Sequence, residues 1–220
     1  MSNHRLLYKK EGKAAYISHL DLMRTFQRAF LRANLMVRHT EGFNPHAYVS
    51  VALPLSVGAE SVCELLDFEL KSDCSLGSIP ERLNDVMPEG IFVLQAYEAA
   101  RKVKEITWLD IEGVLEYDGG IDSDMLQGLE EFFSQENIFI LKKGKKGMRE
   151  FNIAPCISNI RFTGDGLNNI KVRAVLAAQN PSLNPELLIE ALRQKAENLL
   201  PDFASFVRFD VLDESFERFR

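Results

Sequence analysis

The stretch Y-I-S-H-L-D-L-M-R-T-F-Q-R-A-F-L-R-A-N-L-M-V-R-H-T-E-G-F-N-P-H-A-Y-V-S, residues 16–50, decides how the chain is read. Ser18 is a helix N-cap, and Asp21 falls in the first turn, where a carboxylate favours the positive end of the helix. The spacing predicts a helix from His19 to Ala33. On it Leu22, Met23, Phe26, Ala29, Phe30 and Ala33 share an arc about 120° wide, which calls for a sheet to cover it. Arg24, Arg28 and Arg32 recur every four residues on another face. Leu35 to Thr40 then reads as a strand, broken by Gly42, Asn44 and Pro45. Three of the four histidines, His19, His39 and His46, lie in this one stretch.

The pattern extends outward on both sides. Arg5 to Lys10 reads as a strand, as do Tyr48 to Leu53 and Ser61 to Leu70. Ser75 to Met87 reads as a helix, with Pro80 tolerable in its first turn, and Ile91 to Ala99 as a closing strand. The order is β-α-β-β-α-β, the ferredoxin-like plan. The charged segment Arg101 to Glu105 is a linker candidate. The second half repeats the plan. Ile106 to Tyr117 and Ile138 to Lys142 are strands around a helix from Ser123 to Glu136. Ser158 to Thr163 and Asn169 to Ala177 form a hairpin around G-D-G. A helix with Asn184 as cap and Pro185 at its first position runs to Leu199, and Phe203 to Leu212 alternates as the last strand. Phe151 to Ile157 has no clear periodicity. The fold class is α+β, with two tandem ferredoxin-like domains at 1–100 and 106–220.

With 46% hydrophobic and 26% charged residues, the 220-residue chain has the composition of a globular protein. No apolar run approaches the roughly 20 residues of a membrane helix, and the N-terminus has no signal-peptide core, so a cytoplasmic location is expected. Cys63, Cys74 and Cys156 fit neither a paired disulfide framework nor a metal motif. The net charge of −6 is unevenly spread. Residues 1–50 carry eight Lys/Arg against three Asp/Glu, a balance of +5, so the remaining 170 residues carry −11. A second basic cluster, K-K-G-K-K-G-M-R, spans Lys142 to Arg149. An acidic chain with two basic surfaces can still attract a polyanion locally.

The Arg24/Arg28/Arg32 row offers planar bidentate donors to phosphate; its plain alternative is a solvated face paired with Asp21 and Glu41. His19, at the helix start, is an acid/base or anion-contact candidate, or simply part of the cap. His46 follows G-F-N-P, a constrained loop that suits a placed side chain, with turn stabilisation as the alternative. His19, Asp21 and His46 together carry donor types that suit a metal ion if they converge. Lys142, Lys143, Lys145, Lys146 and Arg149 have the charge for a phosphate backbone, but the loop is not a Walker A sequence, and its alternative is a solvated hairpin tip. Phe43 and Tyr48 carry rings that can stack bases, although Phe43 is expected to pack into the core. No G-x-S-x-G or paired Cys/His signal is present, and no resident cofactor is expected.

The segment S-H-L-D-L-M-R-T-F-Q-R-A-F-L-R-A followed by E-G-F-N-P-H resembles the radical-SAM-linked proteins, a bacterial family of unestablished molecular activity. Ile17, Ser18, His19, Leu20, Asp21, Arg24, Arg28, Arg32, Gly42, Phe43, Asn44, Pro45 and His46 carry the resemblance, with Leu53 to Ser61 and Phe151 to Pro155 in support. It spans essentially the whole chain, and the first 70 residues are its specific part. Ala47 stands where the family usually has a second proline. Members are fused to a radical SAM protein or encoded beside one. This chain has no C-x-x-x-C-x-x-C motif to hold the iron–sulfur cluster. The resemblance therefore implies a stand-alone member working with a separate radical SAM partner, in an RNA context. More remotely, H-L-D-x-x-R-x-x-x-R is similar to the pattern of CRISPR repeat-processing endoribonucleases, by fold analogy only.

The expected function is that of a non-catalytic accessory protein that binds tRNA or rRNA through Arg24, Arg28, Arg32, Asn44 and the basic loop, and assists a radical SAM enzyme in RNA modification. The alternatives are an endoribonuclease using His19 or His46 as general acid/base, and a module that binds only protein.

Overall fold

A computed structural model describes residues 3–71, 74–144 and 147–220. The chain is α+β, with four α-helices among the described residues, and divides into two compact units, Met1–Glu105 with Phe219–Arg220, and Ile106–Arg218.

In the first unit, β1 (His4–Lys10) leads through a short 3-10 turn into α1 (His19–Arg32). Then come β2 (Val49–Ala52), β3 (Glu60–Phe68), α2 (Ile79–Asn84) and β4 (Ile91–Glu98). The strands pair antiparallel in the order β4-β1-β3-β2. Alternation on β1 sends Leu6 and Tyr8 into the core, where they meet Leu22, Phe26, Ala29 and Phe30 of α1. Phe26 and Phe30 are fully buried; Phe26 meets Tyr8 edge-on at 4.8 Å, and Phe30 lies 5.0 Å from Phe68. This is the apolar arc expected of the helix. On the opposite face of β1, Arg5 is 1% exposed and forks onto Asp67 at 2.6 and 3.0 Å. Such a bidentate pair satisfies both charges where burial would otherwise make them costly. Phe219 covers the same guanidinium.

In the second unit, β5 (Trp108–Glu116) and α3 (Ser123–Phe133) are followed by a hairpin of β6 (Phe139–Gly144) and β7 (Gly147–Asn152). Next are β8 (Ile157–Gly164), β9 (Asn169–Ala177), α4 (Glu186–Lys195) and β10 (Phe203–Leu212). The sheet order is β10-β5-β9-β8, all antiparallel. Phe133 of α3 packs on Phe162 of β8, and Leu188 and Leu192 of α4 are buried.

Several elements depart from the reading of the sequence. Leu35 to Thr40 is not a regular strand but two isolated bridges, Val37 to Leu70 on one side and His39 to Ala47 on the other. The segment changes partner halfway, so neither ladder is long enough to make a strand. Ile138 to Lys142, expected as a strand of the second sheet, pairs instead with β7 in a separate two-stranded hairpin. Gln194 of α4 holds that hairpin by bonding both the amide and the carbonyl of Leu141, at 2.8 and 2.9 Å. The helix expected over Ser75 to Met87 is shortened to α2, with a 3-10 turn at Leu76–Ser78 before Pro80. That expected to run to Leu199 stops at Lys195. Phe151 to Ile157 ends β7 and makes a 3-10 turn at Ala154–Cys156. Among the described residues, no helix is long and apolar enough to cross a membrane.

Candidate functional site

Helix α1 organises the site in the first unit. The Ser18 hydroxyl accepts the Asp21 amide at 3.1 Å and donates to the Asp21 carboxylate at 2.7 Å. That bond, and next the Arg24 guanidinium at 3.2 Å, hold the Asp21 carboxyl below its ordinary range. Arg24 is thereby engaged. Arg28 and Arg32, one and two turns further on, are exposed and make no hydrogen bond or ion pair among the described residues. His19, the first residue of the helix, is also exposed. At the other end, Asn34 adopts a left-handed φ of 52°, a conformation asparagine tolerates better than most residues. Arg82 donates to the carbonyls of Ala33 (2.7 Å) and Asn34 (2.9 Å), satisfying groups that a helix terminus leaves open.

Past Asn34 the chain turns back along α1. Leu35 bonds Phe30, Lys71 bonds Met36, and Arg38 bonds Glu69 through the backbone. Between α1 and this returning segment lies an open groove of about 430 Å³. Its apolar wall is made by Phe30, Leu31, Leu35, Met36, Val37 and Ala47. Gln27, Arg28, Asn34, His39 and Lys71 supply its polar atoms, and no carboxylate lines it among the described residues. The His39 Nδ1 lies 3.1 Å from the Val37 carbonyl, which only accepts, so that bond places the proton on Nδ1.

The G-F-N-P-H loop projects beyond the groove. Gly42 has a φ of 129°, which a side chain would rarely permit. Thr40 and His46 close the loop: the Thr40 amide donates to the His46 carbonyl at 2.8 Å, and the His46 amide to the Thr40 hydroxyl at 3.2 Å. The His46 Nδ1 lies 3.1 Å from the Asn44 carbonyl, so this histidine braces its own turn and keeps Nε2 outside it. Phe43 is fully exposed, contrary to the expectation that it packs into the core; the tight turn on either side carries it outward. Tyr48 is covered by the Arg38 guanidinium at 4.7 Å. Asn44 is exposed. Ala47, where the resemblance departs from the usual proline, is buried and its carbonyl accepts a bond from Gln27 at 3.3 Å.

Among the described residues, no three His, Cys, Asp or Glu side chains gather to hold a metal ion, so His19, Asp21 and His46 do not form the ligand set considered from their residue types.

In the second unit the basic cluster forms the β6–β7 hairpin. Lys142 faces Arg149 and Lys143 faces Met148. Lys142 lies 3.5 Å from the centre of the Phe151 ring, and burial, then the nearby Arg149 charge, lower its pKa. Lys143 and Arg149 are exposed. Lys145 and Lys146 lie outside the described residues.

Three groove residues, Asn34, Gln27 and Lys71, are not among the candidates that the sequence suggests. Asn34 carried a signal, since asparagine just past an amphipathic helix marks a left-handed end. Gln27 and Lys71 carried none, because their proximity depends on how the chain returns; His39, one of the histidines clustered in residues 16–50, joins them there.

Residues 4–185 match the model of a family described as "Uncharacterized protein conserved in bacteria (DUF2344)", and the chain belongs to that family. No curated protein matches. Among solved structures, a chain of the "Crystal Structure of a Cbf5-Nop10-Gar1 Complex" is similar, with a TM-score of 0.52 and 8% sequence identity. The likeness covers 94% of this chain and 48% of that one, so this chain spans about half the length of the structure it matches. At that identity it is a likeness of fold.

Proposed function

We infer that this member of the DUF2344 family is a non-catalytic accessory protein that binds single-stranded segments of RNA along α1 and assists a separate radical SAM enzyme. The observation that carries the RNA reading is the cationic edge of the groove. Arg28 and Lys71 line it without a carboxylate among the described residues, and Arg32 continues the row with no ion pair. Arg28 and Arg32 make no ion pair among the described residues, although the Arg28 charge acts on the Asp21 carboxylate; arginines so placed fit phosphate, which accepts their forked donors. The fully exposed Phe43 adds a ring on which a base can stack. The β6–β7 hairpin, with Lys143 and Arg149 exposed, is a second basic surface.

The radical SAM partner rests on the resemblance of residues 17–46. We read each unit as a ferredoxin-like domain, the second carrying the β6–β7 hairpin as an insertion. The strand orders β4-β1-β3-β2 and β10-β5-β9-β8 support this reading.

Fluorescence anisotropy with labelled single-stranded fragments of tRNA and rRNA tests the RNA reading. Binding by the wild type and loss of it in Arg28→Glu is the expected result; unchanged binding by Arg28→Glu removes α1 as the surface. Cleavage of the same fragments by the wild type but not by His46→Ala would establish the endoribonuclease alternative. Affinity capture from the source cells should bring down a radical SAM protein, and its consistent absence refutes the partnership.

A further inference from the structure

We propose that the groove beside α1 is a receptor for one unstacked base of an RNA strand, with the flanking phosphates on Arg28 and Lys71. The proposal rests on the RNA-binding reading above and names what the groove itself receives.

A groove of about 430 Å³ is within the range of ligand sites, roughly 300–1,000 Å³. Its walls are apolar and open to a flat ring: Leu31 is 81% exposed and Met36 61% exposed. Exposed leucine and methionine side chains facing one cavity are poorly placed for water and well placed for a base. Two amides stand at the same opening. Gln27 donates to the Ala47 carbonyl at 3.3 Å and so keeps its Oε1 as an acceptor. The Asn34 side chain makes no hydrogen bond among the described residues, although its backbone is fixed by Arg82 and a left-handed turn. Amide side chains are suited to reading base edges, since each offers a donor and an acceptor side by side. Cations at the rim complement the phosphates on either side of an inserted base. An apolar tail with an acidic head would use the cations but would leave both amides without a role.

The test compares two fluorescein-labelled ten-nucleotide probes on the full chain at low salt, one a mixed-sequence RNA and the other an abasic ribose-phosphate strand of the same length. The wild type should bind the base-bearing strand roughly tenfold more tightly, the scale of one buried or stacked base. Met36→Ala removes one apolar wall of the groove from an exposed position; it should reduce the difference to about twofold. Asn34→Gly keeps the backbone conformation and removes the amide; it should retain tight binding but bind oligo-A, oligo-C and oligo-U equally where the wild type ranks them. Equal wild-type affinity for the two strands, or a full difference persisting in Met36→Ala, overturns the base receptor while leaving phosphate binding in place. Failure of the wild type to bind either strand overturns the RNA reading and this proposal together.

Discussion

Replacing Arg28 by alanine should change how RNA binding responds to salt, and by an amount that the structure sets. Along the groove and its helix, Arg28, Arg32 and Lys71 make no ion pair among the described residues. Each phosphate contact on a single strand releases counterions worth a slope of about 0.7 in log affinity against log salt, so three contacts give a slope of about −2.1. Raising salt fourfold, from about 50 to about 200 mM, should then weaken wild-type binding about 18-fold. Arg28→Ala leaves two contacts and a slope of about −1.4, so the same change should weaken it only about 7-fold. Arg24→Ala is the internal control. Arg24 already bonds Asp21 at 3.2 Å, and its removal should leave the wild-type slope. Anisotropy titrations of one labelled strand at four or five salt concentrations measure all three. A slope in Arg28→Ala equal to wild type, or a loss in Arg24→Ala as large as in Arg28→Ala, refutes the assignment of phosphate contacts along α1.

Other expectations concern stability. The Asp21 carboxyl is held low by Ser18 and then Arg24, so its stabilising effect is present above the ordinary carboxylate range and is lost as pH falls through the folded-state value. Thermal melts should show Asp21→Asn below wild type at pH 7 and converging with it below about pH 4. Burial raises the Tyr117 pKa to about 12, and its hydroxyl donates to the Leu199 carbonyl at 3.0 Å. The neutral phenol therefore stabilises the fold at pH values below about 10, and this is lost as pH rises towards 12; urea unfolding should show a flatter decline over that window in Tyr117→Phe, which costs about 1 kcal/mol at neutral pH. Gln194→Ala removes two bonds to Leu141, each worth about 1 kcal/mol, so hydrogen exchange should quicken in β6 and β7 while β5 and β9 keep their protection.

What the sequence disclosed follows the range over which each feature is decided. Helix α1 was legible because its cap, its apolar period and its arginine row all lie within sixteen residues. The strands β9 and β10 were equally plain, since alternation is a local signal. The segment Leu35 to Thr40 looked like a strand for the same reason, but its pairing depends on Ala47 on one side and Leu70 on the other, and no local pattern reports a change of partner. Nor does anything in Ile138 to Lys142 state which strand it will meet; the residue that docks it, Gln194, is 53 positions away. Phe43 was misjudged because apolar character was weighed above turn geometry. Arg28 was visible as a charge on a helix face, whereas the groove it borders needed Lys71 and the returning chain.

His19 and His46 divide the labour of the site differently from what their chemistry alone implies. The His46 Nδ1 is committed to the Asn44 carbonyl, and the Thr40 hydroxyl lies 3.2 Å away, so its geometry serves the loop that presents Phe43. His19 makes no hydrogen bond or ion pair among the described residues, and a general base gains its reach from a partner that orients it. The built features are elsewhere: a helix end fixed by Arg82, a returning segment tied to both Ala47 and Leu70, and a rim that Arg28 and Lys71 line without a carboxylate among the described residues. In the reading proposed above, these features together grip and orient a strand.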